Sequence, residues 1–294
     1  MQDHKTFLEK IRRTLAGSKC FLMKLYEKFC ACLTWAAAVL TIGTLFFIVG
    51  FILVKGIPHI KLSLFSLSYN SENVSLMPAM ISTIIMTLLS LLIAVPLGIF
   101  AAIYLVEYAK RGSRAVRLIR MTTETLSGIP SIVYGLFGML FFVTSLGWGF
   151  STLAGAFTLA IMILPLIMRS GEEALASVPD TYREGAFGLG AGKLRTVFRI
   201  VLPSAMPGIL AGIILAIGRI VGETAALIYT AGTVAQIPTN PMQSARTLSV
   251  HMYALSSEGL HTNEGYATAV VLLLLVIIIN ALSARVAKRI GRTA

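Results

Sequence analysis

The amino-acid sequence predicts an all-α membrane protein with six transmembrane helices and both termini in the cytoplasm. Three observations carry that prediction. Hydrophobic residues fill 56% of the 294 positions and charged residues only 13%, with a mean hydropathy of +0.82. A soluble domain of this length carries roughly a quarter charged residues. Six apolar runs are long enough to cross a bilayer, which takes about 20 residues of helix. Of the 25 lysines and arginines, 21 fall on the N-terminal segment, two alternate loops with their flanks, and the C-terminal tail. Three fall on the opposite loops, and Arg219 lies inside a span. The positive-inside bias then places both ends in the cytoplasm.

Residues 1–29 form a basic cytoplasmic segment with seven lysines and arginines. The stretch from Lys5 to Lys28 reads either as a basic amphipathic helix on anionic lipid or as a solvated tail. This charged leader and the apolar run behind it are both too long for a cleaved signal peptide. Residues 30–54 are the first transmembrane helix, and 55–76 an extracytoplasmic loop. A core over 77–284 holds the other five spans, at Met77–Tyr108, Leu126–Leu146, Thr152–Met168, Ala205–Thr230 and Tyr266–Ala284. The second span is too long to cross upright, so it tilts, kinks at Pro96 or continues into the cytoplasm. A polar break at Gly147–Ser151 makes the third and fourth spans a tight hairpin. Residues 285–294 are a cytoplasmic tail.

Several functions are excluded at this stage. The net charge of +12 goes with the cytoplasmic loops, and no basic stretch interleaved with aromatics forms a nucleic-acid module. Cys20, Cys30 and Cys32 lie on the reducing side without paired spacing, which predicts neither a disulfide nor a metal site. His4, His59, His251 and His261 are too scattered for a metal centre. No cofactor is implied.

The loop over 177–204 carries the informative chemistry. Asp180 or Thr181 is placed to cap a helix, and Thr181-x-x-Glu184 has capping-box spacing. Gly188, Gly190 and Gly192 interrupt that helix, and Gly190 sits where the chain must turn. A second helix is predicted from Lys193 to Ile200, ending before Pro203. Ala186, Leu189, Leu194 and Val197 supply an apolar surface for docking. The glycines do not make a phosphate loop: Gly192-Lys193 is followed by Leu194, and Phe187 stands where the first glycine belongs. This chain therefore builds no nucleotide site and is read as a non-enzyme.

The same loop resembles the EAA signature of ABC importer permeases, in which E-A-A is followed by three residues, G, nine residues and I-x-L-P. Glu184, Gly185, Ala186, Gly190, Ile200, Leu202 and Pro203 occupy those positions, with Gly185 replacing the first alanine. Glycine there keeps the side chain small and softens the helix by ~1 kcal/mol. The segments 96–108, 128–138 and 218–226 narrow the resemblance to phosphate-importer permeases of the PstA type, over about residues 78 to 290.

Arg219 and Glu223 are predicted near the middle of the fifth span, four residues apart on one helix face. An arginine at the bilayer centre costs at least ~2.5–3.5 kcal/mol, so it must face the bundle interior or a watery cavity. Glu223 can offset that cost, although Arg-then-Glu is the poorer order for helix stability. Gly218 and Gly222 are read as points of close backbone approach. Two readings stay open: a neutralising pair that locks packing, or a guanidinium whose planar fork faces an oxyanion. Arg169 reads as a snorkelling residue at the cytoplasmic interface or as a pathway residue. Pro130 marks an irregular first turn of the third span.

The resemblance implies the type I ABC importer permease (MetI-like) fold in a bacterial inner membrane. It implies a pathway shared with a second homologous, PstC-like permease. It also implies a PstB-like cytoplasmic ATPase dimer docked on the EAA loop, a PstS-like extracytoplasmic phosphate-binding protein, and inorganic phosphate as cargo. A permease for another oxyanion (sulfate, molybdate or phosphonate) shares these features. A self-contained secondary transporter would lack the EAA spacing, and a signalling role leaves no mark in the sequence.

Overall fold

The structure is a computed structural model that describes residues 2–293 apart from 111, with side chains over 26–285 and at 288, again apart from 111. Among the described residues every regular element is helical. The chain divides into two units, Met1–Val54 and Lys55–Ala294.

The first unit belongs to helix α1 (Gln2–Gly56), in which residues 1–29 and 30–54 are not separate elements. Its Tyr26–His59 stretch is apolar all round, the chemistry of a helix solvated by lipid. The side chains over 5–25, on which the amphipathic reading depends, lie outside the described residues.

In the second unit, α2 (Met77–Ile103) continues through a π-helical turn at Tyr104–Tyr108. Next come α3 (Arg114–Ser127) and α4 (Ser131–Gly138), the latter continued by a π turn at Met139–Ser145. The pair bends by 100° at Gly128–Pro130, the geometry of a broken span or of a re-entrant loop. Pro130 is the N-cap of α4, where a missing N–H costs no hydrogen bond. Helix α5 spans Thr152–Ala176, about two turns longer than the hydropathy reading. It is followed by α6 (Asp180–Gly188), α7 (Lys193–Thr196), a π turn at Val197–Val201, and α8 (Leu202–Val221). Short α9 (Ala225–Ile228), α10 (Leu248–Glu258) and α11 (Thr262–Thr293) complete the chain. Among the described residues five helices are long and apolar enough to span, and the count reaches six when the bent α3–α4 pair is taken as one span.

The prediction that the second cytoplasmic helix stops before Pro203 is corrected. Lys193–Val221 runs on as one candidate span, because Pro203 directly follows the π turn at Val197–Val201, whose wider hydrogen-bond ring accommodates a residue without an N–H. The fifth span, conversely, ends early. It breaks at Gly222–Thr224 before the four-residue α9.

Three apolar clusters stack along the bundle. One sits at the end bearing α6 and α7, called the cytoplasmic end below because it carries the dense arginine and lysine. It joins Ile103, Leu175, Val197, Val201 and Ile209. The central cluster packs Met86, Leu159, Ile163 and Ile167 against Ile220 and Leu227. The outward cluster joins Leu64, Leu76, Leu248 and Val271. Helices α5 and α8 approach closely through small residues at i, i+4 spacing on both sides. A Cβ at Gly208 would lie 2.7 Å from the Ala174 Cβ, and one at Gly212 would collide with Ser170. Gly218 and Gly222, read as the close-approach positions, have no neighbouring helix within 4 Å.

Candidate functional site

The cytoplasmic hairpin is built around one glycine and one arginine. Helix α6 ends with Gly190 at φ +81°, while the Ala191 N–H donates to Ala186 O (3.0 Å) and the Gly190 N–H to Phe187 O (2.9 Å). This is the Schellman arrangement, in which the residue after the cap must be left-handed. Space is not the constraint, since nothing lies within 4 Å of a Cβ built at Gly190. The expected capping box is absent. Pro179 is the N-cap, and no side chain caps α6, so Thr181 and Glu184 do not act as a reciprocal pair.

Arg183 takes over the anchoring. Its Nη2 and Nε donate to one Glu107 carboxylate oxygen at 2.7 and 3.0 Å. Nη2 also donates to Leu175 O (3.0 Å), and Nη1 to Val178 O (2.7 Å) and Asp180 Oδ1 (3.2 Å). Leu175 O belongs to the last turn of α5, where carbonyls lack helical partners. The arginine therefore ties α6 to the ends of two spans at once. Lys193, opening α7, lies 4.8 Å over the Tyr108 ring. Both limbs of the hairpin are thus fastened to the π turn that ends α2. A polar cavity of 510 Å³ lies between them, lined among others by Lys110, Arg120 and Glu172. Arg120 and Glu172 form an ion pair between α3 and α5.

The signature residues divide into an inner and an outer set. Ala186 is buried, Ile200, Leu202 and Pro203 are half-buried, and Glu184, Gly185 and Gly190 are exposed. Of the four apolar residues read as a docking surface, Ala186 and Val197 pack inward. Leu189 is 91% exposed and Leu194 65%. Tyr182 and Phe187 are also exposed, which leaves an apolar crown on the hairpin.

Inside the bundle, Arg219 and Glu223 do not pair. Helix α8 stops at Val221, so Glu223 is not on its face. Its carboxylate accepts the Ala226 N–H at 3.1 Å and starts α9, while its carbonyl accepts the Ser249 hydroxyl at 2.6 Å. Arg219 instead lines a largely apolar cavity of 560 Å³ with Leu166, Ile214 and Asn280. The Asn280 Oδ1 is buried without a hydrogen-bond partner. Arg219 is also within electrostatic range of Tyr134. Arg169 pairs with Glu173 one turn on at 3.0 Å, with both side chains exposed. It borders a 290 Å³ cavity with Glu124 and Glu172.

The sequence reading missed Arg183, counted only as a loop charge, and Asn280, hidden in an apolar run. It also missed Arg246, counted only as an outward-loop charge and in fact buried. Among the described residues no cluster of His, Cys, Asp or Glu is arranged to hold a metal ion.

Residues 94–292 match the profile of a family described as "binding-protein-dependent transport system inner membrane component". The chain belongs to that family. It is 43% identical over 154 residues to the phosphate transport system permease protein PstA 1 of Mycobacterium tuberculosis, covering 52% of this chain and 50% of that one. It is 35% identical over 231 residues to PstA 2 of Mycobacterium bovis, covering 79% and 75%. The chain spans about half to just under two thirds of the length of the first curated relatives it matches. The fold is that of ABC importer permeases. A chain of a bacterial alginate ABC transporter, in complex with an alginate pentasaccharide-bound periplasmic protein, superimposes with a TM-score of 0.62 at 17% identity, over 91% of this chain and 94% of that one. The family membership makes this an integral membrane protein.

Proposed function

We propose that the chain is the PstA-type permease subunit of an ATP-driven phosphate importer in a bacterial inner membrane, with both termini in the cytoplasm. It forms half of a pathway with a second permease. It couples that pathway to an ATPase dimer through residues 177–204, and it receives phosphate from an extracytoplasmic binding protein. The observation that carries the coupling role is the anchored hairpin. Arg183, Lys193 and the left-handed Gly190 fix its geometry, and Leu189 and Leu194 stand out from it. An exposed apolar crown on a rigid base is what docking into a groove on another protein requires. Two relatives named as phosphate permeases support phosphate as cargo. Arg219 supports an anionic one, because its guanidinium lines a cavity and is not spent on Glu223.

The test is uptake in cells lacking this chain and in cells expressing it again. ATP-dependent uptake of radiolabelled phosphate should vanish and return. Uptake restored for sulfate or molybdate and not for phosphate would overturn the cargo and leave the permease reading standing. Uptake by the purified chain alone, without ATP, would overturn both.

A further inference from the structure

The outward end of the second unit holds a cation with nothing to bind. Arg246 lies in the segment between α9 and α10 and is 6% exposed, yet its Nε and Nη2 have no hydrogen-bond partner. Among the described residues no carboxylate pairs with it. Its backbone is fixed, with the N–H donating to Val234 O at 3.0 Å. The guanidinium stacks 4.6 Å from the Tyr69 ring centroid, and the fully buried His251 meets the same ring edge-on at 6.1 Å. Neither His251 ring nitrogen makes a hydrogen bond of normal geometry. A buried arginine without an acceptor costs several kcal/mol unless something completes it.

Two further features say what completes it. The cover is a strained turn. Val74, a β-branched residue, is held at φ +45°, with its N–H on Asn70 O (2.9 Å) and the Asn73 side chain accepting from the Asn70 and Ser75 amides. A left-handed valine is a true outlier, and such strain clusters at ligand clamps and switches. The location is the second feature. Ser249, three residues beyond Arg246, bonds Glu223 at the break that follows Arg219. Arg246 is therefore a second arginine, outward of the first, on the same side of the fold as the delivery step proposed above.

We propose that Arg246, flanked by His251 and Tyr69, is a binding site for a small tetrahedral oxyanion entering from outside, closed over by the Tyr69–Ser75 turn. The site rests on the permease reading, and its identification with phosphate rests on the cargo reading. The turn opens to admit the anion, whose oxygens take the free N–H groups as the planar fork allows. The bound anion then holds the turn shut.

The test uses the assembled transporter in right-side-out vesicles. Val74→Cys places a thiol under the turn, and a membrane-impermeant maleimide reports opening. Inorganic phosphate should slow labelling about tenfold, the scale of one charge-assisted hydrogen-bonding group. Adding Arg246→Met should abolish that slowing, whereas Arg219→Met should leave it. Arg246→Met should also assemble with the partner subunits and transport about tenfold less, since removing a buried charge by itself favours packing. Arg246-dependent protection by sulfate but not phosphate would keep the site and overturn the cargo. If no oxyanion protects Val74→Cys in the otherwise unaltered chain, the site is overturned, whether or not Arg246→Met assembles. Protection by the binding protein alone, without an oxyanion, also overturns it in favour of a protein carboxylate. Unchanged uptake by an assembled Arg246→Met transporter does the same.

Discussion

Arg183 is a half-buried arginine on α6 near the cytoplasmic end of the bundle, and Arg246 is a buried one in the segment between α9 and α10 near the outward end. Arg183 makes five hydrogen bonds, to Glu107, Asp180 and two backbone carbonyls. Arg246 has an aromatic face, and two of its nitrogens, Nε and Nη2, have no acceptor. A saturated guanidinium is a fastener, since every donor is fixed and the elements it joins move together. An unsaturated one, more deeply buried, is poised for something that comes and goes. The cytoplasmic hairpin is thus built as a lever, and the outward segment as a receptor.

The most damaging change should be Arg183→Met. It leaves Glu107, 8% exposed at its side chain, as an uncompensated buried charge and strips two carbonyls of their donor. Breaking such a pair costs on the order of 3–5 kcal/mol. Thermal unfolding of the purified chain should shift down, and the ATPase should be lost on co-purification. If Arg183→Met melts like the parent chain, the contrast between lever and receptor fails at its first member.

Next in size is Arg219→Gln, which should cut phosphate uptake by about tenfold or more while assembly stays intact. Glu223→Gln should be mild, because an amide oxygen still accepts the Ala226 N–H. The double variant should transport no better than Arg219→Gln alone, since no pair exists to neutralise. Recovery in the double variant would mean that the two charges meet in another state of the transport cycle.

The outward end should also be the acid-sensitive one. Burial, and then the Arg246 charge beside it, push His251 down to about 3, partly offset by the Val74 backbone. The Tyr69 ring is the other group facing it. The unfolded imidazole titrates near 6.5, so the unfolded state binds the extra proton first. Stability is therefore full above pH ~6.5 and falls as the pH drops towards 3, by on the order of 2 kcal/mol at pH ~5. His251→Phe should flatten the unfolding profile between pH 7 and 5 relative to the parent chain, with both followed by thermal melts.

Smaller effects belong to Gly190 and Arg169. Gly190→Asn should retain coupling, because asparagine tolerates the left-handed conformation and the space is open. Gly190→Val should lose about 1–2 kcal/mol and uncouple uptake from ATP hydrolysis. Arg169→Gln touches only an exposed pair, and phosphate uptake should stay within about twofold of the parent.

Much of the architecture was legible because lipid enforces a strong pattern. Apolar length gave the spans, and Gly190 at the end of α6 gave a turn that the structure bears out. The failures have physical causes. Gly222, Glu223 and Thr224 interrupt the apolar run for only three residues before it resumes at Ala225, so the fifth span was read through a break that the Glu223 side chain makes by capping α9. Pro203 looked like a stop and is carried inside a continuous helix by the π turn before it. The Arg183–Glu107 contact joins residues 76 apart and has no local signature. Arg246 was counted as a loop charge because charge counting assumes that loop arginines face water.

The π turn at Tyr104–Tyr108 has a consequence for how the hairpin is aimed. A π turn carries one residue more than an α turn, so everything beyond it is rotated by about 100° relative to an uninterrupted helix. Glu107 and Tyr108, which hold Arg183 and Lys193, owe their direction to that surplus residue. Removing Val106 would restore the regular helix and swing both handholds off the hairpin without changing a single functional side chain. The direction in which the permease grips its cytoplasmic arm is therefore written in chain length rather than in chemistry, and an insertion or deletion of one residue re-aims it.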